Sequence, residues 1–533
     1  YKELKSNLIK HGYIFKTNSD TEVVLTSYIH WGKDCLNKFN GMFSFAIWDN
    51  KNKKLFAARD RYGIKPMYFW KSKNNFSLCS EIKQLTKFKE FTAKIENESV
   101  YQFLEFGNFA YSNKTMWKSV FELEPGHFLD IDFNSWIFSK EIKVTKWYNL
   151  NFKDQKIHSY NDAKSYFENI FSNSVKKRLQ SDVNISALIS GGLDSTSVAS
   201  ILYHKFSANK LKTYSIVYDE NEFSEKQYID IVNKKFDFDF TLINYSSKNY
   251  FEDLEKIIWH NDLPVVGRSI VSHYNLYQNI DSKKFKVAIE GQGADESLCG
   301  YSSFHLGYIL QLMSQFKFSK SYKEYNGYVK TRKGNFISDM KSLFLYSSPQ
   351  LFNMLKRTKL NSGFYNFPMI NPISKINRSE RNLDKIYLER FSILRSILHS
   401  VDRVSMSNSI ETRVPFLDHE LVEFSISQPI EFKIRNGIRK SLLRDSLKKY
   451  LPNEIFNRKD KMGFSSPEKK WLSNELKSIF LSNLSDAANL PFVKKDIILS
   501  EIDSIRNNKK QINQSLVRLS NLKRWIDIFN INL

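Results

Sequence analysis

The stretch Val183-Asn184-Ile185-Ser186-Ala187-Leu188-Ile189-Ser190-Gly191-Gly192-Leu193-Asp194-Ser195-Thr196 decides the fold of this chain. Val183 to Ile189 is a short, largely apolar run bounded by turn residues, and it reads as a buried strand. It ends in Ser190-Gly191-Gly192-Leu193-Asp194-Ser195, after which Thr196 to His204 reads as a helix. Strand, glycine loop and helix in that order make an anion-binding arrangement. The glycines let the backbone come close to an anion, and the first N–H groups of the helix point at it. Ser190 and Ser195 add hydroxyl donors. Asp194 repels a phosphate unless a cation lies between them, which suggests Mg²⁺. This is not the Walker loop, which needs a Lys after its second Gly. A Gly-Gly pair alone is more often a tight turn; agreement of strand, loop and helix favours the phosphate reading.

Outward from this loop, Asp162 to Leu179 is helical, Lys212 to Val217 is the next strand, and Phe285 to Ile289 is a third. That third strand also runs into glycines, in Glu290-Gly291-Gln292-Gly293-Ala294-Asp295-Glu296. Strands alternating with helices predict a parallel α/β sheet covered on both faces. Beyond Tyr301 the chain reads as mostly helical, and the region 310–395 carries no readable motif. Residues 1–150 differ. They read as strands with turns: Met42–Trp48, the turn Asp49–Asn52, Lys54–Arg59, Met67–Trp70, Phe76–Cys79 and Phe128–Ile131. A polar stretch from Asn149 to Asn161 reads as a linker. The fold class is therefore α/β overall, with an N-terminal α+β domain over 1–150. A parallel-sheet domain with a helical C-terminal part covers 155–533.

Composition sets the outer bounds. A chain of 533 residues is too long for one ordinary core. No apolar run is long enough to span a bilayer, and Tyr1-Lys2-Glu3-Leu4-Lys5 is no signal peptide. Without an initiator Met, the chain is read as a fragment. Cys35, Cys79 and Cys299 are widely spaced, which fits a reducing compartment and no zinc cluster, so the location expected is cytoplasmic. The net charge of +23 is spread along the chain without a nucleic-acid motif, so neither nucleic acid nor membrane is an expected partner.

The blocks Phe15–Leu25, Leu36–Phe45, Ala58–Tyr68, Ser80-Glu81-Ile82-Lys83, the loop at 190–195 and Glu290–Glu296 occur in this order. Asp402-Arg403, Glu411–Asp418 and Arg458-Lys459 through Gly463–Pro467 follow. As a set they resemble glutamine-hydrolysing asparagine synthetases over nearly the whole chain, and the loop resembles that of the N-type ATP pyrophosphatases. The resemblance implies a carbon–nitrogen ligase. ATP is split between its α- and β-phosphates with Mg²⁺, aspartate becomes β-aspartyl-AMP, and ammonia from glutamine displaces AMP to give asparagine. It puts pyrophosphate on Ser190, Gly191, Gly192, Asp194 and Ser195, and adenosine on Ile189, Ile216 and the backbone of Glu290 and Gly291. It makes Asp194 and Asp295 the Mg²⁺ ligands, although Asp295 also reads as a helix N-cap. It makes Lys459 the catalytic lysine, Lys440 a candidate for pyrophosphate and Arg268 a candidate for the substrate carboxylate. For either lysine alone, a solvated surface residue is the bland alternative.

The family has Glu where this chain has Gln292, held to help form the acyl-adenylate and to take a proton from ammonia. Gln has the shape but cannot be a general base. The alternative acceptor is another carboxylate, such as a polysaccharide sugar acid or a peptide natural product. The N-terminal domain resembles a class II glutamine amidotransferase, in which Asp20 binds the α-ammonium of glutamine; on spacing alone Asp20 reads as a turn residue. The family's Cys nucleophile has no counterpart in Cys35 or Cys79, so the chain as given is expected to use free ammonia. A second copy of the chain is a further expected partner.

Overall fold

The computed structural model describes residues 1–107, 112–139, 141–150, 152, 159–208, 210–220, 222–265, 269–330, 363–367, 382–459 and 466–533. The described chain forms two compact units: Tyr1–Ser80 with Glu122–Leu150, and Glu81–Phe121 with Asn151–Leu533. The boundary expected near residue 150 thus has an exception, because Glu81–Phe121 packs with the second unit.

In the first unit Ser44–Asp49 and Lys54–Arg59 pair antiparallel as the expected hairpin. The Asp49 carboxylate closes its turn by accepting from the Asn52 N–H at 3.0 Å. His127–Asp132 and Lys143–Lys146 complete a four-stranded sheet, and Tyr68–Lys71 pairs with Phe76–Cys79. Reading residues 1–150 as strands and turns missed the helices Lys2–Lys10, Asp20–Trp31 and Asn97–Phe106. Val23-Val24-Leu25 is strand-like by composition, but end signals override it. The Ser19 hydroxyl caps the Thr21 N–H at 3.1 Å, and Asp20 and Glu22 lie in the positive first turn. Asp20 therefore opens a helix rather than standing in a turn.

The Arg59–Lys65 loop is built around buried charges. Asp60 accepts from the N–H groups of Tyr62, Ile64 and Lys65 at 2.9 to 3.1 Å, and burial still pushes its carboxyl up. Arg59 pairs with Glu122 and donates to the Leu123 carbonyl at 2.7 Å. Cys35 and Leu36 lie in the core beside Phe39, Phe56 and Phe128. Burial pushes the Cys35 thiol up to about 12 and also raises Cys299. At pH 8 both are neutral thiols, and the thiolate is the nucleophile. Iodoacetamide at pH 8 should therefore label half-buried Cys79 first and spare Cys35 and Cys299 until the chain unfolds; mass spectrometry of native and unfolded samples reads this out.

The second unit contains a five-stranded sheet, in spatial order Asp239–Asn244, Lys212–Val217, Asn184–Leu188, Phe285–Ile289, Glu411–Arg413. All its pairings are parallel. The edge strands Asp239–Asn244 and Glu411–Arg413 were not read from the sequence: the first mixes polar residues among apolar ones, and the second has three residues. From the central strand Asn184–Leu188 the chain winds first to one side and then, at Phe285, to the other. That reversal is a topological switch point, where the loops leaving two adjacent strands diverge and open a crevice. Helices Tyr160–Arg178 and Leu193–Phe206 pack into the main core with Phe167, Phe171, Val198 and Phe416.

Asp262 ties Glu81–Phe121 into this unit. Its buried carboxylate accepts from the Ile82 N–H at 2.7 Å and from Lys83 Nζ at 3.2 Å, with Arg403 3.8 Å away. Its carbonyl accepts from the indoles of Trp117 and Trp525 at 2.7 and 2.9 Å. No described helix is long and apolar enough to cross a membrane.

Candidate functional site

Both glycine loops leave the C-terminal ends of adjacent strands, Asn184–Leu188 and Phe285–Ile289. The helix after the first loop begins at Leu193, not at Thr196, so Asp194 and Ser195 stand in its first turn. Its first intrahelical bond runs from the Thr196 N–H to the Gly192 carbonyl at 3.0 Å. The loop is braced by its own hydroxyls. The Ser190 N–H donates to Ser195 Oγ at 3.2 Å, the two hydroxyls lie 3.1 Å apart, and the Gly192 N–H donates to Ser190 Oγ at 3.3 Å.

The two loops touch. A Cβ on Gly291 would stand 2.8 Å from the Ser195 nitrogen, so only a glycine lets this strand end seat against the helix start. Gly293 takes φ +95° and caps the short helix Ala294–Ser297. Asp295 therefore lies inside that helix, not at its N-cap.

Lys440 joins the two acids. Its Nζ is 2.6 Å from both carboxylate oxygens of Asp194 and 2.6 Å from Oδ1 of Asp295. The lysine is buried, 6% exposed, so it is no solvated surface residue. Burial disfavours its charge, but the two carboxylates more than compensate and its pKa is raised. It follows a two-stranded hairpin, Ile434–Arg435 with Ile438–Arg439, whose turn N–H groups of Asn436 and Gly437 donate to Glu324 at 2.8 and 2.9 Å.

These groups line a cavity of about 520 Å³ in the second unit. Ile189, Ser190, Gly192, Asp194, Ser195, Glu290, Gly291, Gln292, Asp295, Lys440 and Lys459 all contribute to its wall. Lys459 is exposed, whereas its neighbour Arg458 is buried. Ile216 is buried in its strand and is not part of the wall, and neither is Gly191. Gly191, at φ +71°, packs on Tyr228 and Ile229 and shapes the loop from behind. Asp20 is exposed in the first unit, and Arg268 lies outside the described residues.

Three arginines were given no role by sequence reasoning. Arg458 donates to the Gly191 carbonyl at 3.1 Å, pairs with Glu225 at 2.7 Å and covers the Tyr228 ring at 3.7 Å. Arg444 donates to the carbonyls of Phe456 and Arg458, both at 2.6 Å, and burial pushes its pKa down to about 10. Arg439 donates to the Gly300 carbonyl at 2.8 Å. The signals in the sequence were that Arg458 adjoins Lys459 and Arg439 adjoins Lys440.

The site thus offers anion-binding amides and hydroxyls, a ring of cationic side chains, and two carboxylates converging on one cation. Among the described residues no group of three or more His, Cys, Asp or Glu side chains could hold a metal. Two converging carboxylates nevertheless suit Mg²⁺, which is usually bound by one or two carboxylates together with substrate phosphates.

Residues 167–527 match the family model described as asparagine synthase, and residues 1–147 match that described as a glutamine amidotransferase domain. The chain is 30% identical over 474 residues to asparagine synthetase [glutamine-hydrolyzing] 3 of Bacillus subtilis, covering 86% of this chain and 72% of that protein. It is 28% identical to the same organism's asparagine synthetase [glutamine-hydrolyzing] 1, over 94% of this chain and 80% of the relative. It is also 24% identical to amidase chry2 of Gibberella zeae, over 99% of this chain and 84% of the relative.

Proposed function

Because the chain belongs to the asparagine synthase family, we propose that its cavity activates a carboxylate with ATP and converts it to an amide, with aspartate as acceptor and asparagine as product. The observation that carries this reading is the meeting of Asp194, Asp295 and Lys440 at the end of two adjacent strands, beside a glycine loop and a helix N-terminus. The loop Ser190–Ser195 and the start of its helix hold the pyrophosphate half of ATP, with the adenosine along Ile189 and Gly291. Lys459 and Lys440 offset the charge that spreads over the phosphate oxygens as the carboxylate attacks the α-phosphorus. When Mg²⁺ is bound, it draws the phosphates together and neutralises them. Asp194 and Asp295 would hold it. Ammonia, from glutamine held at Asp20 or free in solution, then displaces AMP. Three widely spaced cysteines suit a cytoplasmic enzyme.

Gln292 and the relative named an amidase favour a second reading, an amide former acting on another carboxylate. One assay separates them: pyrophosphate release with ATP, Mg²⁺ and ammonium against a panel of acids, aspartate first. Release with a different acid and none with aspartate would overturn aspartate as the acceptor. Asp194→Asn should cut release by at least about 100-fold, while the remaining Lys440–Asp295 pair keeps the fold. Release that survives this change would mean the site is elsewhere.

A further inference from the structure

Glu290 brings to the cavity wall an acidic side chain for which the site as described has no use. Its residue is 4% exposed and lines the cavity. Oε1 accepts from the Tyr277 hydroxyl, which lies 2.6 Å from the Thr412 hydroxyl. Among the described residues, Oε2 is buried with no hydrogen-bond partner, and no cation pairs with Glu290. Tyr277 stands on the helix Ile270–Gln278, whose Ile270, His273 and Leu276 line the same cavity. A buried carboxylate with one oxygen unsatisfied is costly unless a ligand supplies the missing donor. Such an oxygen asks for a small cationic donor.

The proposed amide-forming reaction has such a species. Ammonium cannot attack an acyl carbon until it loses a proton. Of the two polar side chains that flank Gly291, Gln292 can take none. Asp194 and Asp295 face Lys440 and, in the proposed reaction, would hold Mg²⁺. Resting on that reaction, we propose that Glu290 is the catalytic base of the amide-forming step and that its Oε2 marks an ammonium subsite. One proton passes from ammonium to Glu290, and the nitrogen lone pair forms the C–N bond at the acyl carbon. The C–O bond to the phosphate breaks, and AMP leaves with that electron pair and the second proton of nitrogen. The Glu290 proton returns to solvent.

Hydroxylamine provides the test, because it is largely uncharged near neutral pH and needs no prior deprotonation. The whole chain is given ATP, Mg²⁺, the acid that supports release, and either ammonium chloride or hydroxylamine. Amide and hydroxamate are each measured per pyrophosphate released. In Glu290→Gln the ratio of amide to hydroxamate should fall about 100-fold, and Glu290→Asp, which keeps a carboxylate, should recover part of it. The melting temperature is recorded for both variants, and a ratio taken on one protein sample is insensitive to the fraction folded. An unchanged ratio, or equal loss with both nucleophiles in both variants, overturns the role of Glu290 while leaving the ligase reading in place. No release from the unmodified chain with any acid overturns both.

Discussion

Lys440→Met is expected to remove ATP-dependent pyrophosphate release and to lower stability by about 3 kcal/mol. Lys440 holds Asp194 and Asp295 at 2.6 Å each, and the lysine side chain is 8% exposed. Methionine matches its aliphatic stem but leaves two carboxylates facing each other without a cation. Unpairing a buried charge costs more than an exposed ion pair of the same geometry contributes, because the remaining groups cannot regain full hydration. The sign with pH follows from the raised pKa of Lys440. A raised pKa gives stability that is fully present below the unfolded lysine value and is lost as pH rises through the folded one. The deficit of the variant should therefore persist from neutral pH to about pH 10 and narrow above it. Thermal melts across that range check this. Lys459→Met provides the contrast. Lys459 is exposed on the same cavity, so its loss should leave stability within about 0.5 kcal/mol while cutting release at least about 100-fold. Similar melting curves for the two variants would mean that the Asp–Lys–Asp cluster adds nothing to the fold.

Gly191→Ala should be nearly as damaging, and Gly192→Ala should not. Gly191 has φ +71°, and a Cβ there would lie 2.7 Å from the Tyr228 Cβ and 2.9 Å from the Ile229 nitrogen. Backbone strain and a clash with main chain together cost about 3 kcal/mol, and any relief must move the loop off Arg458, which donates to the Gly191 carbonyl. Gly192 has φ −76°, and its Cβ would meet only the Ser190 hydroxyl at 3.1 Å. A hydroxyl can rotate away, so the expected cost is about 1 kcal/mol or less. Denaturant melts and pyrophosphate release on both variants decide the matter; equal damage from both would mean that closeness to the anion, not the left-handed backbone, governs the loop.

What was legible in the chain was local. Asn184–Leu188, Lys212–Val217 and Phe285–Ile289 announce themselves because a strand buried on both faces reads as a short, largely apolar run. Asp239–Asn244 was missed because its exposed face mixes polar residues into the run. Asp20–Trp31 was missed because a β-branched segment outweighed a Ser cap that is plain once looked for. Blocks such as Ser80–Lys83 and Ala58–Tyr68 stood out as family signatures. In the structure their polar atoms hold Asp262 and Asp60, so these blocks brace the fold.

By itself the sequence determined that a strand, a glycine loop and an acidic helix start follow one another, because those choices rest on backbone freedom and apolar periodicity within a dozen residues. Only the tertiary structure decided which cation faces Asp194. Lys440 is 246 residues away in the chain, and the resemblance that marked it as a candidate for pyrophosphate gave no sign that it pairs with Asp194 and Asp295. Likewise only packing separated Gly191 from Gly192 and, among the described residues, left one oxygen of Glu290 without a partner. Burial and ion pairing depend on what the fold brings together, and that is a property of distances no local pattern encodes.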